Sequence, residues 1–499
     1  MVYFLQEYPP ERLNGFGEKA FKGEICHEKT SVSGHYGIPA RAGSYNGTGY
    51  LCRYRFNKIP TDSLTFSKYQ SVFLSMYDIH NFSQEDFTTY RGISTLKLNY
   101  SFPTAAQVNE AVDTAFSSGN TLTNIYLGLE PYLLWKSEGN DILKVREAFE
   151  NGWFSYVDTF PQISFEVLLP FPSMDYWLSL KEEEVQTRLT LYQQLVGILA
   201  SRSNITIYFT GDQEWLILNP GNYTGDFAVN ESVSQALFLH TFCDGHMQID
   251  NNNSAERLQA LSGLISSCRA NPAEYPDLSD KEIVFLGDSI IGNYQGSLSI
   301  PGVVNALSGA TVYNCAIGGT SAAQGEPDGN CFPEMVAEFL SGTPKDADSP
   351  FGENVSLYQS DDHTGKKLCF VIDYGRNDYF AGYPVENPED AYDITTYAGA
   401  IRTGIAALRE VYPDAVYVLS GPGRVEYFND GTDVMSAVGS PLVDYYAAAL
   451  SLSGELDTLY LDLYADFPEV EGLSLSDVVS DGCHYNEYGR FLTGIRFCN

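Results

Sequence analysis

At 499 residues the chain is too long for one ordinary core, so at least two domains are expected. Hydrophobic residues at 44% and charged residues at 19% suit a globular protein and argue against a disordered one. Sixty-four acidic residues against 29 basic give a formal charge of −35, which repels phosphate backbones and anionic lipid, so neither nucleic acid nor a bare membrane is an expected partner. No apolar run approaches the roughly 18–20 residues that span a bilayer. The opening MVYFLQEYPPERLNG lacks a basic stretch followed by an apolar one and is not read as a signal peptide. The nine cysteines (Cys26, Cys52, Cys243, Cys268, Cys315, Cys331, Cys369, Cys483, Cys498) form no CxxC pair, so zinc ribbons and thioredoxin-like motifs are not expected. Tyrosine is abundant, at 35 residues, which suits either a sugar-facing surface or a β-rich core. Eight Asn-x-Ser/Thr sequons occur, among them Asn46, Asn204, Asn222 and Asn354.

Residues 1–64 are rich in Gly, Tyr and charge and are read as a leader of loops and short strands packing on the first domain. From there apolar, strand-like runs alternate with helical stretches. YQSVFLSMYD, STLKLNYSF, NIYLGLEPYLL, SFEVLLPFP and ITIYFTGDQEW are the first five runs. AAQVNEAVDTAF, EEEVQTRLTLYQQLVGILASR and AERLQALSGLISSC carry apolar residues at helical spacing. The polar, proline-bearing RANPAEYPDLSD then marks a boundary near residue 275, giving domains at 65–275 and 276–499.

Beyond it the pattern starts again with KEIVFLGDSII, ATVYNCAIGG, KKLCFVIDYGRND, AVYVLSGPGR and DTLYLDLYADF. Helices such as PEMVAEFLSG, TTYAGAIRTGIAALREVY and SPLVDYYAAALSLSG separate them. Strands alternating with helices predict right-handed βαβ units, a parallel sheet and helices on both faces. The expected fold class is therefore α/β, as two doubly wound, flavodoxin-like, three-layer α/β/α domains. In such sheets the chemistry gathers at the carboxyl ends of the strands.

Four motifs stand at those places in the second half. The first strand ends in Gly287-Asp288-Ser289, the second in Asn314-Cys315-Ala316-Ile317-Gly318-Gly319, and the third in Gly375-Arg376-Asn377-Asp378. Asp481-Gly482-Cys483-His484 precedes the last helix. Each is weak alone, and their order is specific. Residues 281–499 resemble the SGNH (GDSL-like) hydrolase superfamily in all four blocks. The resemblance implies Ser289 as nucleophile, His484 as base and Asp481 as the acid that orients it. It implies an oxyanion hole from the backbone N–H groups of Ser289 and Gly319 and the side-chain amide of Asn377, with Gly318 leaving open which glycine points inward. No metal and no organic cofactor is implied. The chemistry needs these types: a serine hydroxyl is a poor nucleophile until a base takes its proton, an imidazole does so near neutral pH, and a carboxylate three residues earlier fixes its tautomer. The alternatives are a helix N-cap for Ser289 and a turn former for Asn377. Asp288 is read as structural, and His363, in YQSDDHTGKK, as solvated, with a metal site beside Asp361 and Asp362 as the lesser reading. Cys483 is a candidate disulfide partner for Cys498.

The first half lacks such motifs. Its runs YQSVFLSMYDIHNFSQEDF, LKLNYSFPTAAQVNEAVDTAF and IYLGLEPYLLW resemble a cell-envelope branch of the same superfamily, which acts on polysaccharide and teichoic-acid acylation. Aligned so, the nucleophile position falls on Tyr77 and the acid–base segment on Asn222–Ala228, with acid and base missing. This half is expected to be a degenerate copy, with an unrelated accessory domain as the rival. His80, His240 and His246 are read as structural or surface residues, and Trp135, Trp177 and Glu214-Trp215 as core, with a sugar platform as the alternative. The expected function is hydrolysis of O-acyl esters, O-acetyl above all, on a carbohydrate or surface polysaccharide outside the cytoplasm, or on a small ester. An O-acyltransferase and a non-catalytic glycan-binding scaffold are the rivals.

Overall fold

Strands buried on both faces read as unbroken apolar runs, because both rows of side chains need cover. In the computed structural model each such run contains a strand. The structure describes residues 69–76, 81–100, 104–117, 122–325, 330–425, 440–465, 467–468 and 472–498. The leader 1–64, Tyr77, His80, Cys26, Cys52 and the sequon at Asn46 lie outside them.

The first sheet holds β1 (Ser71–Met76), β2 (Thr95–Tyr100), β3 (Asn124–Gly128), β4 (Ser164–Leu169) and β5 (Ile205–Phe209), in the order β2-β1-β3-β4-β5. A short antiparallel pair comes next, β6 (Tyr223–Thr224) and β7 (Ala228–Val229). The second sheet holds β8 (Lys281–Gly287), β9 (Thr311–Asn314), β10 (Lys367–Asp373), β11 (Val416–Ser420) and β12 (Leu459–Leu461), in the order β12-β11-β10-β8-β9. All pairings within both sheets are parallel. Counted from its own first strand, each sheet runs 2-1-3-4-5, the flavodoxin-like order. The two halves therefore share topology as well as architecture.

The two faces of the second sheet can be read residue by residue along β8. Val284 and Leu286 join a buried cluster with Phe370 and Ile372 of β10. Ile283 and Phe285 join the cluster on the other face, with Val371. This period-two split is what helices on both faces require. The parallel register aligns Gly287 with Asp373, and Asp373 with Ser420, so the carboxyl ends of three strands lie level.

The stretch 271–280 carries neither helix nor strand, and the 275/276 boundary falls in it. Packing continues across that boundary. Val303 and Phe491 are members of the first sheet's buried cluster, and Tyr488, Leu492 and Ile495 pack against it. The described residues of both sheets thus belong to one compact unit. Among the described residues no helix is long and apolar enough to cross a membrane.

Candidate active site

The nucleophile position is set by close approach of two strand ends. A Cβ on Gly287 would stand 2.8 Å from the Asp373 carbonyl oxygen, so only glycine lets β8 and β10 close at this level. Asp288 is in extended backbone, and its Oδ1 accepts from the Ile290 N–H at 2.9 Å, capping the short helix Ser289–Gly292. The expectation that Asp288 is structural agrees with this cap. Ser289 then sits at the first position of that helix.

His484 arrives from the other end of the chain. Its Nε2 lies 2.9 Å from Ser289 Oγ, and its Nδ1 lies 2.7 Å from Asp481 Oδ2. The second Asp481 oxygen accepts from the backbone N–H groups of His484 at 2.7 Å and Cys483 at 3.0 Å. Partial burial pushes the Asp481 carboxyl up, but the hydrogen bonds from His484 and these two N–H groups outweigh it and hold it below the usual range. The three residues thus form one hydrogen-bonded row at the carboxyl edge of the second sheet. A hydroxyl, an imidazole and a carboxylate so ordered can pass the serine proton to the ring and stabilise the charge it gains.

The loop after β9 stands beside the row. It is tied to the end of β8 by the Ile317 N–H donating to the Gly287 carbonyl at 3.0 Å and by Thr320 Oγ1 donating to the same oxygen at 3.3 Å. Gly319 takes φ of +79°. A Cβ on Gly318 would stand 2.3 Å from Asn293 Oδ1, so the two glycines serve different ends, a left-handed turn and a close approach. Asn377 Nδ2 donates to the Thr320 carbonyl at 2.8 Å, which uses one amide hydrogen and leaves the other to point elsewhere. Asn314, read only as part of the second motif, donates to the Ile291 and Tyr294 carbonyls at 3.1 and 3.0 Å and so holds the turn behind Ser289.

Residues beneath the row escaped sequence reasoning. Arg376 is buried, donates from Nε to the Gly423 carbonyl at 2.9 Å and from Nη2 to Tyr485 Oη at 3.1 Å, and so links Asn377's neighbour to His484's neighbour. Asp288, Asp373 and Asp378 are buried around it. Asp378 accepts from the Ala322 and Ala323 N–H groups, yet burial pushes it up to about 6. Burial pushes both Asp288 and Asp373 well above the usual carboxyl range; the Asp373 charge raises Asp288 further, and Arg376 opposes the rise in each. The burial of this group together carries no sequence signal, because it depends on strand ends that only the fold brings side by side; Asp288 alone is read as structural from the sequence.

A carboxyl raised in the fold stabilises it when protonated, so this contribution is full below the unfolded value of 3.8 and is lost as pH rises toward neutrality. Asp481, which is depressed, loses its contribution only in acid. Thermal stability is therefore expected to fall as pH is raised from about 5 to 8. Asp288→Asn, which keeps the cap to Ile290, should flatten that slope, and an unchanged slope in the variant would assign it to other groups.

The structure corrects some further expectations and agrees with others. His363 is not free in solvent: its Nδ1 lies 2.7 Å from the buried Glu282 Oε2 and its Nε2 2.8 Å from the Tyr358 carbonyl. A strand that begins with a buried carboxylate needs such a partner. Asp361 instead accepts from Tyr313 Oη, and among the described residues no metal cluster forms there. Cys498 is a free thiol in the cluster on one face of the second sheet, whereas Cys483 packs in the cluster on the other face, so the two are not bridged. Asn222 is fully buried, and Asn204 and Asn354 use their amides on carbonyl oxygens. In the first half Trp177 and Trp215 are core residues, while Trp135 is half-buried against Tyr132. Among the described residues no Ser–His–Asp row stands at the first sheet's carboxyl edge.

No protein-family profile matches this sequence, and no curated protein matches it. Solved structures of GDSL/SGNH lipolytic proteins match about 44% of the chain. A structure named as a GDSL-like lipase, from Parabacteroides merdae, is similar at 19% identity over 45% of this chain and 95% of its own, with a TM-score of 0.31. One named as an arylesterase, from Agrobacterium tumefaciens, is similar at 14% identity over 44% and 96%, TM-score 0.28. One named as an SGNH hydrolase, from Slackia heliotrinireducens, is similar at 16% identity over 44% and 97%, TM-score 0.28.

Proposed function

We propose that this protein is a serine esterase that cleaves O-acyl esters through an acyl-serine intermediate. The observation that carries the reading is the Asp481–His484–Ser289 row, with hydrogen bonds of 2.7 and 2.9 Å. In the reaction Ser289 Oγ attacks the ester carbonyl while His484 Nε2 takes its proton. Negative charge then grows on the carbonyl oxygen, where the N–H groups of Ser289 and Gly319 and the free amide hydrogen of Asn377 would meet it. His484 returns the proton to the leaving alcohol, and water repeats the sequence on the acyl group.

The substrate we favour is an O-acetylated glycan. Tyr294, exposed and stacked over the Arg490 guanidinium at 3.5 Å, offers a ring face five residues beyond the nucleophile. Transfer to another alcohol requires water to be kept away. Asp481 and His484 side chains are 52% and 30% exposed, which favours hydrolysis over transfer. We place the activity outside the cytoplasm, where acylated polymers are met. The first half, on this reading, is a copy without its own chemistry that shapes or positions the active half. Release of acid from p-nitrophenyl acetate, acetylated xylan, pectin and O-acetylated sialoglycans tests the proposal. Turnover of the small ester with none of the polymers would retain the esterase and remove the glycan.

A further inference from the structure

The helix Glu231–Phe242 runs into a turn that brings His240, Asp244 and His246 together. Asp244 divides its two oxygens. Oδ1 accepts from the His246 backbone N–H at 3.0 Å, which fixes the carboxylate in place. Oδ2 lies 2.6 Å from His240 Nδ1 and 3.5 Å from His246 Nδ1. The two imidazole rings lie 6.3 Å apart and within 19° of parallel. One ligand atom from each residue falls within 4.8 Å of the other two.

A second arrangement stands behind the first. His240 Nε2 lies 3.1 Å from Glu487 Oε2, and Glu487 also accepts from Arg490 Nη2 at 3.2 Å. Trp215 packs beside the His240 ring. A carboxylate on the far nitrogen is the device that fixes the tautomer and orientation of a metal-bound histidine. A histidine placed only for packing has no need of a carboxylate on each nitrogen.

We propose that His240, Asp244 and His246 form a site for a borderline transition ion, Zn²⁺ as its best fit, with water completing the coordination. Two imidazoles and one carboxylate select such an ion over Ca²⁺ or Mg²⁺, which prefer all-oxygen sets. Bonds of about 2.0–2.2 Å place tetrahedral ligand atoms roughly 3.4 Å apart. The Asp244–His246 separation already meets that spacing. Two adjustments remain: the hydrogen-bonded His240–Asp244 pair, now at 2.6 Å, must open by about 0.8 Å to that spacing once the ion displaces its shared proton, and the His246 side chain, which is 76% exposed, must turn toward His240. The contact of His240 Nε2 with Glu487 already ties the helix Glu231–Phe242 to the helix Glu487–Cys498, which begins three residues after His484, so an ion on Nδ1 would bear on that joint.

Calorimetric titration of the chelator-treated full chain with ZnCl₂ tests the site, with a parallel melting curve. One saturable site at about 1–10 µM is expected, with a rise in Tm. His246→Ala, at an exposed position, should leave the metal-free Tm unchanged, weaken Zn²⁺ binding by about 10- to 100-fold and abolish the Tm rise. Millimolar CaCl₂ should not displace the ion. Absence of saturable binding up to about 100 µM Zn²⁺, a generous ceiling for a three-ligand site, would overturn the proposal. So would equal affinity in wild type and His246→Ala, since the ion would then sit among other carboxylates of this acidic chain. The readout is binding and melting, so the result stands apart from whether the chain is an esterase.

Discussion

Replacing Ser289 by alanine is expected to lower turnover of a short acyl ester by about 10⁴-fold or more, with the fold kept. The hydroxyl is the atom that forms the acyl bond, and nothing else in the row can form it. Alanine removes one oxygen from the first position of a short helix whose cap is made by Asp288, so the melting temperature should change little. His484→Ala should cost about as much, because an un-ionised serine without its base is the same poor nucleophile. The double variant should be no worse than either single one, as expected for groups that act as a unit. Folded Ser289→Ala protein with near-normal turnover would end the acyl-serine mechanism, whatever the other variants do.

The second large effect is expected at Asn377. Its amide hydrogen would act on charge that develops only in the transition state, so Asn377→Ala should lower kcat by about 10²-fold while KM changes little. The same amide also donates to the Thr320 carbonyl, so a general loosening of the loop is the rival cause. The melting temperature separates the two, because a loosened loop lowers it and a lost transition-state donor does not. A loss of kcat in Asn377→Ala with a melting temperature near wild type assigns the effect to the donor. A change confined to KM would move Asn377 to substrate binding.

The parts of this architecture that are readable from sequence are those with a local cause. A run such as IVFLG is apolar on both faces because helices cover both, and that is visible without any partner strand. Ser289, Asn377 and the Asp481–His484 pair are readable because each sits where a strand or loop meets the carboxyl edge. Features that depend on long-range contact are not. The helix Glu231–Phe242 buries Val233, Leu237, Phe238 and Phe242, and the Asn230 that precedes it spends its side chain on Thr224 and Gly221 rather than on a cap, a choice set by the chain folding back on itself. Arg376 has no reading of its own within its motif, and only the fold reveals Tyr485 and Gly423 around it. His363 and His240 look equally uncommitted in sequence, since the carboxylates that hold them, Glu282 and Glu487, lie far away along the chain. The same limit hides the packing of Phe491 into the first sheet's core, which no composition shift at residue 275 could announce.

That shared core bears on the order of events during folding. Phe491 completes the apolar cluster of the first sheet, yet the whole second sheet lies between them along the chain. Contacts of such sequence separation carry a large loop-closure cost and form late. The first sheet should therefore assemble early with part of its apolar surface uncovered, and mature only when the helix Glu487–Cys498 docks. The same docking delivers His484 to Ser289, since the helix begins three residues beyond the histidine. Acquisition of a functional Ser289–His484 contact and closure of the remote core would then be one kinetic event, and a partly folded chain would be inert rather than promiscuous.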